Sequence, residues 1–113
     1  MKDDKVYIVH IMECIEDIER YTKKDRKRFM EDDMISNACL RQLQIMAEST
    51  QRLSSHVKSE ITEIDWKKLA GFRNVMAHGY LGTINFELVW DVIEKRLPEL
   101  KNALWKYKEK SKI

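Results

Sequence analysis

At 113 residues, with 43% hydrophobic and 35% charged side chains, the chain falls outside the disordered class and is long enough to bury a core without disulfide or metal staples. A net charge of +2 gives no general basis for binding nucleic acid, so any basic surface has to be local. Two cysteines, Cys14 and Cys39, fit neither a zinc spacing nor a secreted disulfide framework. They read as buried thiols of a cytoplasmic protein. The opening Met1-Lys2-Asp3-Asp4 does not read as a signal peptide, and no apolar run approaches a membrane span.

The three glycines and the single proline all lie after residue 70, and no stretch alternates with period two, so the chain reads as helical throughout. A first helix is expected from about Asp4 to Thr22. Val6, Val9, Ile11, Ile15 and Ile18 form its stripe, Ile8, Met12 and Tyr21 widen it, and Asp3 or Asp4 caps it. Lys23 to Phe29 breaks the periodicity and reads as a basic connection. A second helix is expected from about Asp33 to His56, with Ile35, Ala38, Cys39, Gln42, Leu43, Met46, Ala47 and Leu53 on one side. Glu48, set between small residues and Leu53, is expected to be partly buried. Asp65 caps a third helix with Leu69, Phe72 and Met76 facing the core, and Gly79 and Gly82 end it. Asn85 caps a fourth, from Phe86 to about Lys108, striped by Phe86, Val89, Ile93, Leu97, Leu100 and Leu104. Pro98 removes an N–H there and should kink or split that helix. The expected fold class is all-α: an antiparallel four-helix bundle forming a single domain over residues 1–113.

The third helix carries Phe-Arg-Asn-Val-Met-Ala-His-Gly-Tyr, residues 72–80. At 3.6 residues per turn Asn74 and His78 share a face, Arg73 reaches the same patch, and Tyr80 returns to it if the helix persists past Gly79. Each residue also has an ordinary reading. A surface arginine is solvated, a histidine near a helix C-terminus complements the dipole, and a tyrosine packs over the helix end.

Arg73, four residues, His78, one residue, Tyr80, with Asn74 directly after the arginine, resembles the Arg-x4-His-x-Tyr signature of the HepT family of HEPN all-α ribonucleases. Ala38 to Ser49 on the second helix is similar to that family's helix, as are Ile64-Asp65-Trp66, Val89-Trp90 and Leu97-Pro98-Glu99-Leu100. Together these cover about two-thirds of the chain. Met46 departs from the pattern, standing where a glycine is usual. The resemblance implies a homodimeric toxin ribonuclease, with the motif helices near the two-fold axis. It also implies a partner nucleotidyltransferase of the MNT type that neutralises the toxin by transferring AMP to the position of Tyr80.

The residue types suit RNA cleavage. His78 titrates near neutrality and can act as base or acid. Arg73 offers fixed, planar donors for phosphate oxygens, and Asn74 can support either group. One histidine is not acid and base at once, so a composite site with residues of both protomers is expected. No metal site or cofactor is expected, because His10 and His56 have no ligand-spaced neighbours. Both histidines read as structural or solvated. Lys23, Lys24, Arg26, Lys27 and Arg28, with Lys67 and Lys68, are candidates for contacts to an RNA backbone, against the plainer reading of solvated lysines and arginines. The competing functional reading is a non-catalytic helical dimer that docks a nucleotidyltransferase and serves as its modification substrate.

Overall fold

The computed structural model describes the backbone of residues 2–78 and 84–111, and the side chains within those spans except those of Lys2 and residues 74–78. The elements are α1 (Lys2–Thr22), α2 (Arg26–Glu31), α3 (Asp33–Arg52), α4 (Ser55–Glu60), α5 (Trp66–His78), α6 (Phe86–Asp91), a π-helical segment (Val92–Arg96) and α7 (Leu97–Ser111). Among the described residues there is no strand, and the all-α bundle expected from periodicity is present. Four long helical rods (α1, α3, α5 and the joined α6–π–α7) are supplemented by the short helices α2 and α4.

The α1–α3 pair forms the centre of the core. Ile8, Ile11, Ile15 and Ile18 are fully buried at spacings of three and four, against Cys39, Leu43 and Met46. At roughly 2 kcal/mol for each fully buried isoleucine, this stripe supplies much of the apolar driving force. The pair runs antiparallel, since His10 Nδ1 meets Ser49 Oγ at 3.1 Å while Asp4, nearer the start of α1, meets Ser54. The face is rotated from the one expected: Val6 is exposed and Ile8 takes its place. On the last rod Val89, Trp90, Ile93, Leu97, Leu100 and Leu104 are buried.

Three expectations need correction, and a fourth takes a particular form. The basic stretch after Thr22 is not all connection. Asp25 Oδ1 accepts from the N–H groups of Lys27 and Arg28, and Phe29 is fully buried against Trp90 and Phe86, so one short helix forms there. The second helix stops at Arg52 instead of running to His56. The Ser54 N–H and Oγ–H both donate to the Asp4 carboxylate (2.8 and 2.9 Å), and Ser54 Oγ accepts from the Val57 N–H, so Ser54 ends one helix and caps the next. Asp4 is accordingly a buried clamp inside α1 and not its cap. The irregularity expected at Pro98 takes the form of a π turn in a rod that stays joined, with α-helix resuming at Leu97. The Leu97 N–H reaches back five residues to Val92 O, and this wider turn accommodates a proline that has no N–H and whose ring would crowd the carbonyl of Glu94.

The ending of the third helix at Gly79 and Gly82, and the core placement of Met76, lie outside the described residues. No described helix is long and apolar enough to cross a membrane.

Candidate functional site

Helix α5 presents the motif, and its first turns fix where it sits. Asp65 Oδ1 accepts from the Lys68 N–H at 3.0 Å. The Trp66 indole N–H donates to the carbonyls of Lys58 and Ile61, both at 3.1 Å, satisfying groups at the C-terminal end of α4. The Lys58 ammonium lies 5.9 Å from the centre of the same ring. Phe72 is buried and Leu69 half-buried, as the 3–4 spacing requires. The next residue, Arg73, is thereby turned to the surface beside α3.

Arg73 is not free in solvent. Its Nη1 donates to Gln51 Oε1 at 2.6 Å, and its Nη2 lies 3.6 Å from Glu48 Oε2. The other Glu48 oxygen is 3.4 Å from Arg52 Nη2, so one carboxylate is shared by two guanidinium groups. Glu48 is about half covered, in keeping with the expectation of partial burial, but its carboxylate faces the α5 arginine and not the core. Both members of the pair are about half exposed, so the contact is worth little to stability, roughly 0–1 kcal/mol. Its consequence is orientation. A guanidinium has five N–H donors, and these contacts leave several for a phosphate.

The helical backbone continues through Asn74 to His78, the last residue of α5. The side chains of Asn74 and His78, and the whole of Tyr80, lie outside the described residues. Gln51 is the residue that sequence reasoning missed. Its signal was weak: it stands three positions after Glu48, on the polar face of α3, and nothing in the sequence assigns it to Arg73.

The two basic groups are differently held. Lys23 and Lys24 are exposed on the α1–α2 link, both with positive φ (53° and 59°). Arg26 pairs with Glu87 at 3.5 Å, Lys27 with Glu31 at 4.0 Å, and Arg28 Nε–H donates to Tyr21 O at 2.8 Å. Lys67 and Lys68 are exposed in the first turn of α5, where they oppose the helix dipole. At 1.5 Å per residue, Lys68 lies about 7.5 Å along the axis from Arg73. His56 is exposed within α4 and meets Glu60 Oε1 at 2.6 Å. Cys14 and Cys39 are free and buried, and burial pushes both thiols up to about 11. Among the described residues no three His, Cys, Asp or Glu side chains form a group that would hold a metal ion.

An all-α, HEPN-like bundle with an arginine held at the surface of a motif helix is the class that fold and sequence define together. The comparisons agree with it. The description "Ribonuclease HepT-like" matches residues 11–106. A Caldanaerobacter subterraneus protein named "Putative RNase" is 31% identical over 113 residues, covering 99% of this chain and 100% of its own length. A Thermococcus cleftensis protein named "Probable ribonuclease HepT" is 28% identical over 109 residues, covering 96% of this chain and 98% of its own. A Methanocaldococcus jannaschii protein named "Gamma-glutamylcyclotransferase and putative RNase" is 34% identical over 109 residues, and the match spans 49% of its length. No solved structure matches the chain significantly. The chain belongs to the HepT-like ribonuclease family.

Proposed function

We propose that the protein is the toxin of a type VII-like toxin–antitoxin pair: a homodimeric, metal-independent endoribonuclease, with tRNA among its candidate substrates. The observation that carries the reading is Arg73, held on the surface by Gln51, on the helix that ends at His78 in a chain of the HepT-like ribonuclease family.

In the proposed reaction His78 removes the proton from a ribose 2′-OH. The 2′-oxygen attacks phosphorus and the P–O5′ bond breaks. An acid supplied by the second protomer protonates O5′, leaving a 2′,3′-cyclic phosphate and a 5′-OH. Arg73 stabilises the negative charge that builds on the phosphorane oxygens, the larger share of such catalysis. Asn74 supports the imidazole or the phosphate. Lys23, Lys24, Arg26, Lys27, Arg28, Lys67 and Lys68 contribute backbone contacts that salt weakens.

A nucleotidyltransferase antitoxin of the MNT type would silence the site. The Tyr80 oxygen attacks the α-phosphorus of ATP, pyrophosphate leaves, and the phenolic proton is lost. The resulting phosphodiester competes for Arg73 as a substrate phosphate would.

The test is cleavage of total RNA in EDTA by wild type and His78→Ala, with chemical mapping of the ends. Cyclic-phosphate ends that fall by 10²-fold or more in His78→Ala are expected. Equal cleavage by both proteins overturns the assignment and favours the docking-module reading. Intact-mass measurement after incubation with the nucleotidyltransferase and ATP reports the transfer to Tyr80.

A further inference from the structure

The Glu48 carboxylate lies between two arginines that come from different helices. Its Oε2 is 3.6 Å from Nη2 of Arg73 on α5, and its Oε1 is 3.4 Å from Nη2 of Arg52, one turn further along α3. Both contacts are longer than the about 2.7–2.9 Å of a tight guanidinium–carboxylate bond, so the carboxylate is spread between the two cations and locked to neither. One negative charge faces two positive ones, and the cluster stays net positive. All three side chains are about half exposed, so an anion in solution can reach them.

Both arginines are oriented from outside the pair. Gln51 holds Arg73 through Nη1 at 2.6 Å. Tyr7 of α1, partly buried and packed against the core, and then Glu48 raise the Arg52 guanidinium above its ordinary value, so Arg52 has a neighbour on α1 as well as on its own helix. A guanidinium carries five N–H donors, and the contacts named leave several on each arginine for an incoming anion. The surrounding face of α3 brings no second acid. From Met34 to Arg52 the charged residues are Arg41, Glu48 and Arg52 alone, and Arg41 is exposed two turns before Glu48.

A phosphodiester presents the same kind of paired, negatively charged oxygens as a carboxylate, and guanidinium forks bind both bidentately. The Glu48 carboxylate is tethered to α3 and reaches each arginine only at long range. A phosphate has no such tether and can close to full contact with either.

We propose that RNA displaces the Glu48 carboxylate from between the two arginines, Arg73 taking the scissile phosphate and Arg52 the phosphate next to it in the strand. Glu48 thus stands in for substrate in the free protein, and Arg52 is a second phosphate-binding residue. The role given to Arg73 rests on the ribonuclease reading. The role given to Arg52 can be tested without cleavage.

The experiment is fluorescence-anisotropy binding of a single-stranded 2′-O-methyl RNA of mixed sequence, which a 2′-OH-dependent nuclease leaves intact, with potassium chloride varied over about 50–200 mM. The proteins are wild type, Arg52→Gln, Glu48→Gln, the double variant, and Lys106→Gln as a control for loss of one exposed charge on α7, each checked by thermal melting. Arg52→Gln is expected to weaken binding about five-fold or more and to lower the salt slope by about one, with Lys106→Gln within about two-fold of wild type. Glu48→Gln, which removes the competing anion, is expected to bind about two-fold or more tightly. In the double variant the Arg52 loss should persist, because Arg52 then acts on phosphate and not through Glu48.

A loss in Arg52→Gln no larger than in Lys106→Gln overturns the proposal. So does a loss that vanishes in the Glu48→Gln background, or weaker binding by Glu48→Gln itself. Parallel cleavage of unmodified RNA separates the two readings. His78-dependent cutting with Arg52-independent binding removes the Arg52 site and keeps the nuclease. Arg52-dependent binding by a chain that cuts nothing keeps the site and removes the nuclease. Absence of binding by wild type overturns both.

Discussion

Arg73 shows how a catalytic candidate is prepared before substrate arrives. Gln51 fixes one edge of the guanidinium at 2.6 Å, and Glu48, more distant at 3.6 Å, can yield to a phosphate. Arg73→Ala is expected to lower cleavage by about 10²–10³-fold. Arg73→Lys should recover little of it, because an ammonium lacks the planar fork. Gln51 touches no substrate in this scheme and acts by positioning. Gln51→Ala should lower kcat by about ten-fold with little change in KM or melting temperature, as expected when reacting groups are misplaced slightly. Gln51→Glu, which keeps the acceptor, should restore most of that loss. A stability change in Gln51→Ala with kcat intact would make Gln51 merely structural.

At the scale of elements, the two short helices are held by single side chains. Phe29 ties α2 to the last rod, and Phe29→Ala should cost about 3–5 kcal/mol in denaturant unfolding. Asp4 ties the α3–α4 break to α1, and Asp4→Ala should cost about 1–3 kcal/mol by leaving the Ser54 donors unpaired. The opening of α5 has the opposite balance. Lys67 and Lys68 stand at the positive end of the dipole, so replacing both with glutamate should stabilise the protein by up to about 1 kcal/mol. The same double variant should bind RNA more weakly and with a shallower salt dependence if these lysines contact phosphate. Unchanged affinity would leave them as ordinary surface residues.

For the molecule as a whole, alkaline stability follows from the buried thiols. Desolvation by burial raises Cys14 and Cys39 to about 11, with Asp17 and Glu13 adding to the effect at Cys14. Burial, with Glu60 and Asp4, also raises Tyr107. These groups ionise more readily in the unfolded chain than in the fold. Their contribution is therefore fully present below the ordinary thiol value of about 9 and is lost as pH rises toward 11. Melting temperature should be insensitive to these groups at pH 7–8 and fall between pH 9 and 11. Native protein should resist thiol alkylation at pH 8 until denaturant is added. A melting temperature that stays level through pH 11 would contradict the burial of both thiols.

Much of this was legible from periodicity and residue type. The apolar repeats of residues 8–18, 35–47 and 89–104 determined an all-α fold, because a helix must bury one stripe, and caps such as Asp65 and Asn85 marked where helices begin. The Arg73-x4-His78-x-Tyr80 spacing picked out the motif helix for the same reason, since local geometry follows from sequence separation. Only tertiary structure decided the rest. Ser54 ends a helix because Asp4, 50 residues away, accepts its N–H. Phe29 turns an expected loop into a helix because Trp90 and Phe86 cover it. Gln51 finds Arg73 across 22 residues of chain. Contacts of that kind depend on which faces meet, which no local pattern specifies.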